Sequence, residues 1–408
     1  MNFQTTTLPC GLRIVCAPSP TPVVYCGIAV DAGTRDELPA ESGMAHFTEH
    51  MSFKGTARRR SWHIINRMES VGGDLNAYTG KEETVYYCAV PREHYARALD
   101  LLLDITLHST YPQREMDKEA EVVVDEIESY NDSPSELIFD DFESLLFHDH
   151  PLGRNILGEA DRLRQLQTAD MQAFARRLYR PERMVLYVYG NVALKDVERV
   201  ASRALPPLPT AQGQPQERVA PTALQQGGWN ERQRDTHQAH VMLGTQSYGG
   251  SDSRHLGLYL LNNILGGPGM NSRFNLALRE RHALVYNVES SATCYTDTGV
   301  WSVYFGCDEA DVDRCLRLVR RELQRLTDAP LSPTALNAAK RQLKGQIGIS
   351  ADSFENVAIG MGKRLLHYGT TQDREALCRR IDALTASELW DTAQHVFAPE
   401  RLLTLLYH

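Results

Sequence analysis

Apolar positions in the first half of the chain switch between two periods. GLRIVCAP (11–18) and VVYCGIAVDAG (23–33) are strand-like runs separated by a proline-containing turn, SPTP. LNAYTGKEETVYYCAV (75–90) alternates on both sides of Gly80-Lys81 and reads as a hairpin. HFTEHMSF (46–53) and SWHIINRMESV (61–71) carry helical spacing. So do HYARALDLLLDITLHS (94–109), REMDKEAEVVVDEIESYND (114–132) and TADMQAFARRLY (168–179), and RMVLYVYG (183–190) closes the unit as a strand. Strands followed by runs of helices predict an α+β fold, a mainly antiparallel sheet with helices packed on one face.

The second half repeats this order. YRPERMVLYVYG (179–190) is echoed by FAPERLLTLLYH (397–408), and LQTADMQAFARRL (166–178) by LTASELWDTAQHV (384–396), both at an offset of 218 positions. EIESYNDSP (126–134) matches QIGISADSF (346–354) at an offset of 220. Segments in the same order, all shifted by about half the chain, indicate a duplicated domain. The stretch between the copies is rich in Pro, Gln and Gly and lacks apolar periodicity, as an extended connector would. The expected organisation is a first domain at 1–205, a linker at 206–228 and a homologous second domain at 229–408.

Composition narrows the class. At 408 residues the chain is too long for one ordinary core, and 42% hydrophobic with 23% charged residues is the balance of a soluble globular protein. A net charge of −9 argues against a nucleic-acid partner, since phosphate binding calls for a basic surface. The longest uncharged stretch, 256–272, is interrupted by Asn262, Asn263, Gly266, Gly267 and Pro268, so no membrane span is expected. The N-terminal residues have neither the basic start nor the apolar core of a signal peptide. Eight cysteines, none in a C-x-x-C pair, read as free thiols in a reducing cytoplasm.

The chemistry concentrates at His46-Phe47-Thr48-Glu49-His50. On a helix, His46 and His50 fall one turn apart on one face, where two imidazoles can grip one zinc ion. Glu49 reaches the same place without being a ligand, the arrangement of an inverted H-E-x-x-H motif. A catalytic zinc takes three protein ligands and keeps one position open. The best source of a third is EAEVVVDEIES, where Glu119 and Glu126, seven apart, share a face beside an apolar side marked by Val122, Val123 and Ile127. A solvated pair of histidines and ordinary surface acids are the plain alternatives.

Together these residues resemble the pitrilysin/insulysin superfamily of zinc metallopeptidases, and within it the bacterial relatives of mitochondrial processing peptidase. HFTEHMSFKGT (46–56) is similar to the family's zinc helix, and 75 residues separate His50 from Glu126, as that family spaces its third ligand. The resemblance implies His46, His50 and Glu126 as zinc ligands, Glu49 as general base and Glu119 as an acid steering a ligand. LGGPGMNSRFNLALRERHALVY (265–286) is similar to the family's glycine-rich segment and Arg…Tyr pair. It implies that Arg279 holds the substrate backbone and that Tyr286 donates to the oxyanion. Ala283 and Asn287 depart from the residues common there. GGDLNAYTGKEETVYY (72–87) resembles the strand beside the zinc, with Asn76 and Ala77 offering backbone groups to an extended peptide.

The second copy lacks this chemistry. Tyr259, Asn262 and Asn263 stand opposite His46, Glu49 and His50, and Gln346 and Ala339 opposite Glu126 and Glu119. One zinc per chain is therefore expected. The implied function is a zinc-dependent endopeptidase that hydrolyses peptides or unfolded segments inside a closed chamber. The implied assembly is a homodimer, or a heterodimer with an inactive homologue. A catalytically silent structural or peptide-holding subunit of the same fold is the other reading.

Overall fold

The structure is a computed structural model, and it describes residues 3–205, 218–222, 227–234, 236–371 and 373–408. Most of the expected linker lies outside the described residues. Among the described residues, eleven strands form two sheets. The first contains β1 (Gln4–Thr7), β2 (Arg13–Pro18), β3 (Val23–Val30), β4 (Asp74–Thr79), β5 (Thr84–Pro91) and β6 (Met184–Gly190), in the order β1-β2-β6-β3-β5-β4. The second contains β7 (Gly228–Arg232), β8 (Ala239–Tyr248), β9 (Val285–Cys294), β10 (Thr298–Cys307) and β11 (Leu403–Tyr407), in the order β7-β11-β8-β10-β9. Each sheet has one parallel pair, β2 with β6 and β11 with β7, and is otherwise antiparallel. The α+β class and the repeated plan are thus both present.

Alternation along β2 sorts its side chains to two faces. Ile14 and Cys16 enter a large core with helices α1 (Met44–Ser52), α2 (Ser61–Glu69) and α3 (Tyr95–Leu107), while Val15 and Ala17 enter a second cluster on the other side. That second face is covered by Ala358, Met361, Leu365 and Leu366 of the helix Phe354–Tyr368, which comes from the second half of the sequence. The packing is close: a Cβ on Gly362 would meet the Tyr187 ring at 2.3 Å. Burial on both faces explains why β6 is wholly buried and reads as a continuous apolar run.

The chain accordingly divides into two compact units that are not continuous in sequence. Unit 1 comprises Met1–Glu128, Arg154–Arg218 and Ser350–Asp373; unit 2 comprises Ser129–Gly153, Val219–Ile349 and Arg374–His408. The halves therefore trade segments relative to the expected break at 205 and 229. Unit 2 gains α5 (Pro134–Leu146), whose Ile138, Phe142 and Leu146 cluster with Met242, Val300, Leu403 and Leu405. Unit 1 gains the helix Phe354–Tyr368.

Helix α4 (Gln113–Asn131) corrects one detail of the expected apolar side. Met116, Ala120, Val123 and Val124 are buried and Ile127 packs on the core, but Val122 is exposed. All eight cysteines are free, and five of them are buried.

Candidate metal centre

The site is built on α1, a nine-residue helix buried on nearly every side. Met44, Ala45, Phe47 and Met51 belong to the unit 1 core and fix the helix, leaving His46, Glu49 and His50 turned toward α4 and β4. The helix starts at Gly43, in the left-handed region at φ 82°, and a Cβ there would meet the Leu157 carbonyl at 2.7 Å. Two amides at the helix start are capped from outside: Glu37 accepts from Ala45 N at 2.8 Å and from Gly43 N at 3.3 Å.

The imidazoles of His46 and His50 lie edge to face with centroids 4.6 Å apart. Their Nε2 atoms face the Glu126 carboxylate of α4, at 3.9 and 3.6 Å. One ligand atom from each of the three residues falls within 4.8 Å of the others, and no further such group of His, Cys, Asp or Glu occurs among the described residues. His50 Nδ1 is 3.0 Å from Glu119 Oε1, and Lys54 Nζ is 2.5 Å from Glu119 Oε2. Glu119 therefore fixes the ring of His50 and leaves its Nε2 directed at the cluster, as a carboxylate behind a metal-binding imidazole does.

The electrostatics suit a cation. Burial, with the neighbouring His50 ring, pushes His46 down to about 3, so it is a neutral donor at any ordinary pH. Burial also acts to lower His50, but the Glu119 hydrogen bond and the charges of Glu49, Glu119 and Glu126 raise it overall. For Glu119 burial acts to raise the carboxyl, and the bonds from His50 and Lys54 outweigh it. A zinc ion fits this donor set of two imidazoles and one carboxylate. His46 Nδ1 is buried without a hydrogen-bond partner among the described residues, so its ring lacks the kind of support that Glu119 gives His50.

Glu49, 9% exposed, accepts a hydrogen bond from the Thr79 hydroxyl at 2.6 Å. Burial raises its carboxyl, and the Thr79 bond partly offsets that. Thr79 and Glu37 were not among the residues singled out from sequence. Alternation along β4 could have found Thr79, because Leu75, Ala77 and Thr79 share the helix-facing side of the strand.

Asn76 and Ala77 lie on β4, an edge strand of the first sheet that, among the described residues, pairs only with β5. Arg279 and Tyr286 belong to unit 2 rather than to this cluster. There the Arg279 guanidinium lies 6.0 Å from the Tyr286 ring centroid, and Tyr286 is 90% exposed. Also in unit 2, Asn262 donates to Ser290 O at 3.0 Å and accepts from Trp301 Nε1 at 3.0 Å. The residue opposite Glu49 is thus bound into the core. It lines a cavity of about 400 Å³ with Tyr259, Asn263 and Arg279.

Residues 13–160 match the family model described as insulinase, peptidase family M16, and residues 165–343 match that of the peptidase M16 inactive domain. A protein of Bacillus subtilis named as an uncharacterized zinc protease is 30% identical over 404 residues, covering 97% of this chain and 96% of the relative. The mitochondrial-processing peptidase subunit beta of Blastocladiella emersonii is 31% identical over 394 residues, covering 95% of this chain and 84% of the relative. The crystal structure of a Helicobacter pylori protease shares the fold, with a TM-score of 0.93 at 20% identity over 100% of this chain and 99% of that one. The two-sheet architecture, the histidine-bearing helix and these relatives agree: the chain belongs to the M16, or pitrilysin, family of metallopeptidases.

Proposed function

We propose that the protein is a zinc-dependent endopeptidase acting on peptides and unfolded polypeptide segments, with one zinc per chain. The observation that carries this reading is the convergence of His46, His50 and Glu126 beside a buried, hydrogen-bonded Glu49. A zinc ion held by those three residues supplies a Lewis acid and brings the pKa of water toward neutrality. Glu49 takes the proton of the attacking water and delivers it to the leaving amine. Thr79 holds one carboxylate oxygen, so the other keeps one direction. The edge of β4 at Asn76 and Ala77 pairs with an extended substrate by strand addition, which favours unfolded segments over folded ones.

Arg279 and Tyr286 bind the substrate backbone and the oxyanion in this reading. The 90% exposure of Tyr286 suits a residue that serves a second chain in a closed dimeric chamber, either a homodimer or a heterodimer with an inactive homologue. The eight free cysteines favour the cytoplasm. No described helix is long and apolar enough to cross a membrane.

An unstructured peptide mixture tests the activity. Hydrolysis that stops with a chelator and returns with zinc supports it, and a zinc-loaded protein that cuts nothing contradicts it. The dimer is tested by mixing Glu49→Gln chains with Tyr286→Phe chains. Restored turnover after subunit exchange is expected, and no restoration sinks action across chains.

A further inference from the structure

The chain segment joining the two halves contributes a buried charge to unit 1. Arg218 lies at the end of unit 1's middle stretch, and its side chain is 15% exposed. Its Nη2 donates to Asp36 Oδ2 at 2.8 Å and to the Glu82 carbonyl at 2.7 Å, and lies 2.8 Å from Asp31 Oδ1. Its Nε donates to Asp36 Oδ1 at 3.2 Å. Two further arginines complete the network. Arg183 donates to the Asp31 carbonyl, and Arg35 donates to Glu82 Oε1 at 2.6 Å. Three guanidinium groups thus meet the three carboxylates of Asp31, Asp36 and Glu82. Of the three arginines, Arg218 alone lies beyond residue 205, in the stretch expected from sequence to be the linker.

Both structures that Arg218 touches lead to the metal centre. Asp36 adjoins Glu37, the residue that caps the first amides of α1 immediately before His46. Glu82 lies in the tip of the β4–β5 hairpin, whose Thr79 holds Glu49. The tip is itself docked on the same segment, through Thr34 N to Gly80 O and Arg35 N to Lys81 O. Lys81 reaches the Arg154 carbonyl, and Arg154 in turn donates to the Glu37 carbonyl. One planar, forked cation therefore ties the loop that starts the histidine-bearing helix to the hairpin that orients the base.

The duplication supplies a comparison. Arg401, the counterpart of Arg183 in the repeated Pro-Glu-Arg, donates to the Gln246 carbonyl much as Arg183 donates to that of Asp31. At the corresponding place in unit 2 lies a cavity of about 460 Å³ lined by Ser247, Tyr248, Asp252, Arg254 and Arg401. In the first copy Arg218 joins two segments there; in the second, Arg254 donates to Asp252 of its own loop at 3.0 and 2.7 Å beside the cavity.

We infer that Arg218 is a positioning residue for the metal centre, clamping the Asp31–Glu37 segment to the β4–β5 hairpin so that His46, His50 and Glu49 keep their mutual geometry. Its effect on catalysis rests on the proposed peptidase activity; its effect on metal binding does not. Full-length Arg218→Met and Arg218→Lys proteins test it by three readouts: zinc affinity in competition with a chromogenic chelator, kcat and KM on an unstructured peptide, and Tm.

Arg218→Met is expected to bind zinc ~10-fold more weakly, as loss of support behind metal ligands does. Its kcat should fall ~10-fold with little change in KM, because displaced reacting groups slow the chemical step. Arg218→Lys, which keeps the charge and loses the fork, should fall between, and millimolar methylguanidinium should restore part of the loss in Arg218→Met. A lower Tm with wild-type zinc affinity and wild-type kcat would make Arg218 a structural staple only and overturn the inference. If Arg218→Met does not fold, Arg218→Lys carries the same readouts, and wild-type zinc affinity and kcat in it overturn the clamp. A wild-type protein that cuts no peptide refutes the proposed function, and the zinc-affinity readout still decides the clamp.

Discussion

Glu49 is buried on a helix, one residue from a metal-ligand candidate, and holds a hydrogen bond from Thr79. A carboxylate in that setting has two needs: enough basicity to take a proton, which burial supplies, and one fixed direction, which the hydroxyl supplies. Thr79→Val keeps the shape and removes the donor. It should lower kcat ~10-fold at unchanged zinc content, a modest share of what a positioned base contributes. Thr79→Ser should restore most of it, and equal rates in all three proteins would remove the hydroxyl from the account. Glu119→Gln keeps the side-chain length but weakens the hold on His50. Zinc should then bind ~10–100-fold less tightly, by the usual cost of losing a partner behind a ligand, and unchanged affinity in chelator competition would contradict that role. His46, Glu49 and His50 were legible because a helix turns spacing directly into proximity. Thr79 was legible only as one of the helix-facing positions of β4, since alternation gives its side and not its partner, and Glu37 carries no such signal because a helix start brings it to the site.

At the scale of elements, the helix Phe354–Tyr368 fastens the β4–β5 hairpin from the far side of the sheet. His367 Nε2 lies 2.9 Å from Glu83 Oε2 and Lys363 Nζ 2.5 Å from Glu83 Oε1. Burial alone would raise the Glu83 carboxyl, but these two partners hold it down to about 2, against an ordinary 4.5. A folded-state value below the unfolded one stabilises the fold above the unfolded pKa, and that stability is lost as pH falls through the folded pKa. The lead of wild type over Glu83→Gln, on the order of 3 kcal/mol by this shift, should be full above about pH 4.5 and close toward pH 2. Urea midpoints across that range measure it; a lead independent of pH would contradict the assignment. Most strands and the helices α1 to α4 were readable from periodicity. The continuous apolar run of β6 already signalled burial on both faces. What covers the second face was not readable, because that helix lies more than 160 residues further along the chain and no local pattern links the two.

The whole molecule is one plan written twice, with each unit borrowing a segment from the other half of the sequence. The repeat was visible from the paired Pro-Glu-Arg motifs, whereas the exchange depends on which sheet face lacks a cover. Only the first copy kept the donor set, and Asn262 in the second is bonded between Ser290 and Trp301. Zinc content near one per chain is therefore expected by elemental analysis of metal-loaded protein; two per chain would contradict the assignment to unit 1 alone. The most direct test of the central claim is to digest an unstructured peptide mixture with wild-type and Glu49→Gln proteins of measured zinc content. The account predicts about one zinc in both and peptide cleavage by wild type alone, with turnover in the variant down by at least ~10²-fold. Near-normal turnover in Glu49→Gln, or a wild-type protein that cuts without zinc, would contradict it.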